Sequence, residues 1–178
     1  MLKGGDKMRT EWIPKGEMEF ILRALSPENR LACEISLATG LRINDVLALT
    51  PEKVRKQRFT LREEKTGKTR QIRLPLELVN RALALSGQHY IFEHRINGRK
   101  HRTRQAVFKD LKKACANFGI KKNIAPHSLR KIYAVEEYEL TGDLKKVQKL
   151  LNHSNEAVTM LYAMANSVRK KRQKRSKK

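Results

Sequence analysis

The chain has 178 residues, 39% hydrophobic and 6% aromatic, which suits one compact domain and excludes a large multidomain assembly. No run of about eighteen apolar residues occurs, and the N-terminus MLKGGDKMRTEW has no apolar region, so we expect a cytoplasmic protein without a membrane span or secretory signal. With 40 Lys and Arg against 18 Asp and Glu, the net charge of +22 favours a nucleic-acid partner, although a solvated basic surface would have the same composition.

The first part of the chain predicts three helices. Residues 1–11 are rich in Gly and Lys, so we expect a disordered segment there and order from near Trp12. Pro in a first turn, Ser before Pro at an N-cap and Gly after a last turn are typical helix boundaries. On these signals the helices begin near Pro14, Pro27 and Ile43 and end near Leu25, Gly40 and Leu49.

A change of hydrophobic period after Pro51 predicts a small three-stranded antiparallel sheet. Apolar residues there alternate with polar ones, as in strands with one buried face. The predicted strands carry Val54, then Phe59 and Leu61, then Ile72 and Leu74. Gly67 lies between the last two strands and can adopt a positive φ, which places Lys65 at a hairpin tip or just before it.

The following segments are predicted to be mainly helical. Cys33 and Cys115 lack the spacing of zinc ligands or of a disulfide framework, so we expect both to be small core residues. The fold class is therefore mixed α+β and mainly α-helical, in a single domain over residues 12–165. The later elements are helices over 76–85, 107–118, 126 to near Gly142, a shorter one capped by Asp143 and one over 155–162, with a strand-like Tyr90-Ile91-Phe92.

Residues 166–178 form a strongly basic C-terminal tail. The last ten residues, RKKRQKRSKK, contain no apolar side chain, so the tail is expected to be solvated unless DNA orders it. The candidate DNA-binding residues in this tail are Arg169, Lys170, Lys171, Arg172, Lys174 and Arg175.

Three short patterns contain residues suited to phosphate chemistry. His127 and Arg130 lie three residues apart at a predicted helix start, where backbone N–H groups attract anions. His153 lies in a predicted turn and Tyr162 follows it, although a helix cap and a core aromatic would explain these two residues equally well. Arg42 follows a Gly-ended helix among apolar neighbours, so it is expected to pair with a ligand phosphate, or else with Asp45 or a nearby Glu.

Taken in order, these patterns resemble the tyrosine recombinase, or phage integrase, family. Its catalytic-domain pattern is an Arg in TGLR, a hairpin Lys, His-x-x-Arg, a Gly-His or Asn-His, and a Tyr nucleophile. The matching residues are Arg42 in TGLR, Lys65 in EEKTGKTR (with Lys68 as the alternative), His127 and Arg130 in PHSLR, His153 in LLNHS and Tyr162 in MLYA. Asn152 stands where the family usually has Gly.

The resemblance implies a site-specific recombinase that breaks and rejoins DNA strands through a 3′-phosphotyrosine. Tyr162 would attack the phosphate and His127 would accept its proton, while Lys65 would protonate the 5′-oxygen. Arg42, Arg130 and His153 would stabilise charge on the phosphate oxygens. The two guanidiniums make a metal or other cofactor unnecessary, so none is expected.

Other interpretations of the sequence stay open. A DNA-binding regulator that keeps the recombinase fold without cutting would have the same charge, whereas an RNA-binding or ribosomal protein would favour more exposed aromatics. The resemblance covers little beyond a catalytic domain, as in a naturally single-domain member such as the fimbrial invertases, or in a fragment. We expect a monomer in solution that assembles into an oligomer on double-stranded DNA.

Overall fold

The computed structural model describes residues 10–151, and the elements within that range are mainly helical. None of the helices in this range is long and apolar enough to cross a membrane. The elements are α1 (Lys15–Leu22), α2 (Pro27–Thr39), α3 (Ile43–Leu47), α4 (Pro51–Arg55), β1 (Arg58–Arg62), β2 (Thr69–Arg73), α5 (Leu76–Leu85), α6 (Arg104–Asn117), α7 (Pro126–Thr141) and α8 (Leu144–Leu150).

The helix boundaries follow the capping residues that the sequence predicts. Pro27 begins α2 directly after Ser26, and Asp143 accepts a hydrogen bond from the backbone N–H of Lys146 at 3.0 Å at the start of α8. Gly40 and Gly142 end α2 and α7 with φ values of 65° and 66°, a conformation that costs glycine little. The mainly helical α+β class is therefore confirmed.

The sheet has two strands in the described part of the chain, so the prediction of three strands is wrong. β1 and β2 pair antiparallel from Arg58↔Arg73 to Arg62↔Thr69. Val54, assigned to a first strand, lies instead on α4, because Pro51 begins a helical turn that buries Val54 one turn later.

The strand expected at Tyr90-Ile91-Phe92 is also absent from residues 10–151. These residues form a turn segment in which Ile91 donates its backbone N–H to Leu49 O at 2.9 Å. The β pairing nearby is a single bridge between Glu93 and His101. Ile91 and Phe92 are buried, so their apolar character reflects burial in the core rather than a strand.

The core is organised around α2, which contacts α1, α3, α5, α6 and α7. Cys33 on α2 and Cys115 on α6 are both buried and free, which confirms the expectation that they are core residues. Asp110 of α6 accepts hydrogen bonds at the start of α2 from Ser26 N at 2.9 Å and Asn29 Nδ2 at 2.7 Å. The opposite, C-terminal end of α2 meets α7 and the β1–β2 hairpin, where the candidate site lies.

The segment before α1 contacts the region around α7. Glu11 N donates to Asn123 O at 3.0 Å, and Lys131 Nζ donates to the carbonyl of Thr10. Residues 1–9 of the segment predicted to be disordered, the predicted helix over 155–162 and the basic tail lie outside the described residues. The proposed domain limits at residues 12 and 165 stay predictions.

Candidate active site

The site is built around one buried carboxylate, Glu63, which directly follows β1. Arg42 Nη1 lies 2.5 Å from Glu63 Oε2, and Arg70 Nη1 lies 3.4 Å from Oε1. Arg130 Nη1 lies 3.8 Å from the same Oε1. Thr66 donates its hydroxyl to Oε2 at 2.9 Å. Three guanidiniums from the α2–α3 turn, β2 and α7 therefore converge on one carboxylate, and the cluster is net positive.

Arg130 is held inside the protein by backbone carbonyls. Its side chain is 1% exposed, and Nη1 and Nη2 donate to Gly40 O and Leu151 O, each at 2.6 Å. Within residues 10–151, its Nε has no acceptor. Burial lowers the pKa of Arg130 to about 10, with repulsion from Arg42 as a further cause and attraction to Glu63 opposing both. Arg130 therefore stays charged at neutral pH, and its buried Nε–H has no acceptor among the described residues.

Gly40 allows α2 to approach α7 closely at this point. A Cβ atom on Gly40 would lie 2.3 Å from Tyr133 Cδ1, and the residue has a positive φ of 65°. The carbonyl of Gly40 is one of the acceptors that hold Arg130. The Gly of the TGLR pattern is therefore required both by backbone conformation and by space, and it positions the Arg130 guanidinium.

Asp45 joins α3 to the hairpin but is not the partner of Arg42. Its Oδ1 accepts the backbone N–H of Glu64 at 3.0 Å, while Oδ2 is buried with no partner among the described atoms. Burial raises the pKa of Asp45, and the nearby Glu63 adds to this, whereas the Glu64 N–H and Arg42 lower it. The alternative prediction, that Arg42 pairs with a Glu, is confirmed with Glu63.

Lys65 lies in the hairpin turn, as the sequence predicts. Gly67 has a φ of 64°, and the turn is closed by Glu63 N donating to Lys68 O and Gly67 N donating to Glu63 O, each at 2.9 Å. Lys65 and Lys68 are both exposed. The backbone of this turn therefore places Lys65 two residues after the buried Glu63. The choice between Lys65 and Lys68 stays open.

The remaining predicted residues fall partly outside the described range. His127 is half-buried, and it is the second residue of α7, three residues before Arg130. His153, Tyr162 and the tail residues from Arg169 to Arg175 lie beyond residue 151. The structure thus brings Arg42 and Arg130 to one carboxylate at the end of the Lys65 hairpin, and it leaves the positions of His153 and Tyr162 as predictions.

Sequence reasoning missed two members of the cluster, Glu63 and Arg70. A signal for both was present in the strand alternation. Glu63 continues the inward-facing series of Phe59 and Leu61, and Arg70 precedes the buried Ile72 by two residues. A charged residue on the buried face of a strand indicates an internal ion pair, because a lone buried charge is costly.

The family model described as the phage integrase family matches residues 11–169. This chain belongs to the phage integrase family. It is similar to tyrosine recombinase XerD of Lacticaseibacillus casei, with 34% identity over 152 residues that cover 79% of this chain and 51% of XerD. It is also similar to the probable integrase/recombinase YoeC of Bacillus subtilis strain 168, with 32% identity covering 70% of each chain. The chain thus spans about half the length of the XerD relative.

Solved structures share the fold of this integrase-family chain. A lambda integrase (75–356) dimer bound to a COC′ core site superposes with a TM-score of 0.71 at 22% identity, covering 87% of this chain and 60% of that one. XerA recombinase superposes with a TM-score of 0.65 at 23% identity, covering 90% of this chain and 61% of that one. These matches support a tyrosine recombinase catalytic-domain fold.

Proposed function

We propose that this integrase-family protein breaks and rejoins DNA strands through a covalent 3′-phosphotyrosine. The observation that carries the proposal is the convergence of Arg42 and Arg130 on Glu63, at the base of the hairpin that carries Lys65. Two guanidiniums fixed by protein acceptors can donate to the non-bridging oxygens of one phosphodiester.

The proposed chemistry is an in-line displacement at phosphorus. The Tyr162 oxygen forms a bond to phosphorus as its proton passes to His127, and the bond between phosphorus and the 5′-oxygen breaks. The leaving 5′-oxygen takes a proton from Lys65, so the products are a phosphotyrosine and a free 5′-hydroxyl. Attack by a 5′-hydroxyl of another strand reverses the step and gives recombination.

Each proposed role suits the physical state of its residue. Arg42 and Arg130 stabilise charge that develops on the phosphate oxygens, and His153 adds a further donor. Arg130 has a pKa of about 10, so it remains a cation throughout the neutral range. Lys65 is exposed on the hairpin turn, where it can reach a DNA backbone that lies over the cluster.

Double-stranded DNA is the proposed substrate and partner. The net charge of +22 supports strong attraction to phosphates. Structural neighbours include a lambda integrase dimer on a core site and a lambda integrase tetramer on a Holliday junction. By analogy we propose that this protein assembles into an oligomer on DNA. We also propose that it is a monomer in solution and acts in the cytoplasm.

The test is covalent capture on a suicide substrate. In a nicked duplex, the short fragment that carries the new 5′-hydroxyl diffuses away after cleavage, so the strands cannot be rejoined. The trapped adduct migrates as a larger species on a denaturing gel. Arg42→Ala and Arg130→Ala should each slow adduct formation by about a hundredfold or more. Arg73→Ala is the matched control, because Arg73 is an exposed arginine of the same sheet. Equal rates for all three variants would contradict the assignment.

A further inference from the structure

We propose that Glu63 is a positioning residue for DNA cleavage, which sets the two phosphate-binding arginines in place before DNA arrives. The proposal rests on the function proposed above and assigns a part in it to a residue outside the family pattern. The observation is geometric, because one fully buried carboxylate contacts guanidiniums from three separate elements.

The contacts of Glu63 account for how two distant arginines are brought together. Arg42 precedes α3 and Arg130 lies on α7, and each places Nη1 near a different oxygen of the carboxylate, at 2.5 Å for Arg42 and 3.8 Å for Arg130. Arg70 Nη1 shares the second oxygen, and Arg70 Nη2 donates to Thr39 O at 3.0 Å. Glu63 is therefore the common reference point of the cluster.

The three guanidiniums need the negative charge of Glu63 to stay close together. Guanidiniums this close repel one another in a poorly solvated site, and without a counter-charge their separation would increase. Arg42 is 15% exposed, so it is the member that can swing into solvent once Glu63 is neutral. Arg130 is anchored by two carbonyls and would stay. Loss of Glu63 should thus split the pair rather than remove either arginine.

Glu63 acts through the arginines rather than on the phosphate. A carboxylate repels a phosphate, and both Glu63 oxygens already accept from protein donors, including the Thr66 hydroxyl at 2.9 Å. Arg42 is partly exposed to an approaching anion, and the buried Nε of Arg130 has no acceptor among the described residues. The expected defect of a Glu63 variant is therefore in the cleavage rate at saturating DNA.

The test compares Glu63→Gln with Glu64→Gln in the full chain. Both changes remove one negative charge, but the Glu64 side chain is exposed, and in the described part of the chain Glu64 contributes its backbone N–H to Asp45 Oδ1. Single-turnover adduct formation is measured on a suicide duplex with a normal scissile phosphodiester, and on one with a methylphosphonate there. The methylphosphonate lacks the negative charge that the guanidiniums stabilise, so a defect transmitted through them should shrink.

We expect Glu63→Gln to react at least about tenfold more slowly than Glu64→Gln on the phosphodiester, with a clearly smaller deficit on the methylphosphonate and similar DNA affinity. Equal rates for the two variants would overturn the proposal. An equal deficit on both substrates would also overturn it, because that result indicates general structural damage. A faster Glu63→Gln would show that the carboxylate blocks the phosphate site instead of preparing it.

Two further outcomes keep the test decisive. If Glu63→Gln gives no cooperative thermal transition, Glu63→Asp is measured in its place by the same criteria. Aspartate keeps the negative charge but holds it one methylene further from the arginines. The rate of adduct formation by Glu63→Asp should therefore be reduced more on the phosphodiester than on the methylphosphonate. A substrate-independent deficit in Glu63→Asp would overturn the proposal. Absence of any adduct from the wild-type protein and from Glu64→Gln would contradict the proposed cleavage function itself, and with it the role of Glu63.

Discussion

Replacing Gly40 by Ala tests the geometry on which the site depends. The added methyl group would lie 2.3 Å from Tyr133 Cδ1 and 2.5 Å from Cε1, well inside van der Waals contact. The residue also has a φ of 65°, which an L side chain adopts only with strain. The substitution therefore combines a backbone cost with overpacking between α2 and α7.

The backbone and packing costs have separate origins. A left-handed conformation costs a non-glycine residue about 1–2 kcal/mol, and overpacking in a dense core costs about 1–3 kcal/mol. We expect Gly40→Ala to lower the free energy of unfolding by about 2–5 kcal/mol, a large part of the stability of an ordinary domain. Gly119→Ala is the matched control, because Gly119 has a φ of 64° and no neighbour within 4 Å of the added atom, so only the backbone cost applies.

The assay is urea unfolding followed by circular dichroism, together with adduct formation on the suicide duplex. Gly40→Ala should be less stable than Gly119→Ala and should also react more slowly, because the Gly40 carbonyl holds Arg130. Adding Tyr133→Ala should recover part of the steric cost at Gly40. If Gly40→Ala and Gly119→Ala are equally stable, the close approach of α2 to α7 is wrong.

Three other predictions address the leaving-group acid, the basic tail and a buried carboxylate. Lys65→Ala should form adduct slowly. Its rate should recover on a substrate with a 5′-bridging sulfur, because that leaving group needs no proton. If the rate of Lys68→Ala recovers on this substrate instead, Lys68 is the acid. Deleting residues 169–178 should weaken DNA binding. The slope of log K against log salt concentration should become shallower by about 0.9 for each phosphate that the tail no longer neutralises. An unchanged slope would place the tail outside the interface. Asp45 has a raised pKa, so the folded state binds its proton more tightly than the unfolded state, and stability from this group should fall as pH rises above the ordinary value of 3.8. Urea unfolding should therefore show the wild type losing stability relative to Asp45→Asn as the pH rises above 3.8, whereas a constant difference would contradict the raised pKa.

Local signals predicted most of the helical framework. Pro27, Gly40 and Gly142 act through backbone conformation, which depends on the residue itself and its neighbours, so the boundaries they mark are readable from sequence. Val54 shows where such signals conflict. A β-branched residue before two alternating segments suggests a strand, but Pro51 three residues earlier starts a helical turn, and the local backbone preference prevailed.

The centre of the site was harder to predict because it depends on distant parts of the chain. Arg42 could be singled out from its turn, but its partner lies 21 residues away, directly after β1. Glu63 belongs to a polar EEK sequence, which indicates an exposed turn. Its burial is predicted only if the alternation of buried and exposed residues in β1 is extended into that turn. The shared carboxylate becomes evident only when β1, β2, α7 and the Arg42 turn are placed together.

Mapping the protein–DNA linkage by mass spectrometry tests the central claim most directly. The chain has four tyrosines, and Tyr90, Tyr133 and Tyr138 are the internal competitors of Tyr162. Tyr133 is packed against Gly40, and burial together with Glu137 raises its pKa, so it is a poor nucleophile. We predict that adduct trapped on the suicide duplex yields one nucleotide-modified peptide, containing Tyr162, and that Tyr162→Phe binds DNA normally but forms no adduct. A modified peptide from another tyrosine, or adduct formed by Tyr162→Phe, would contradict the mechanism.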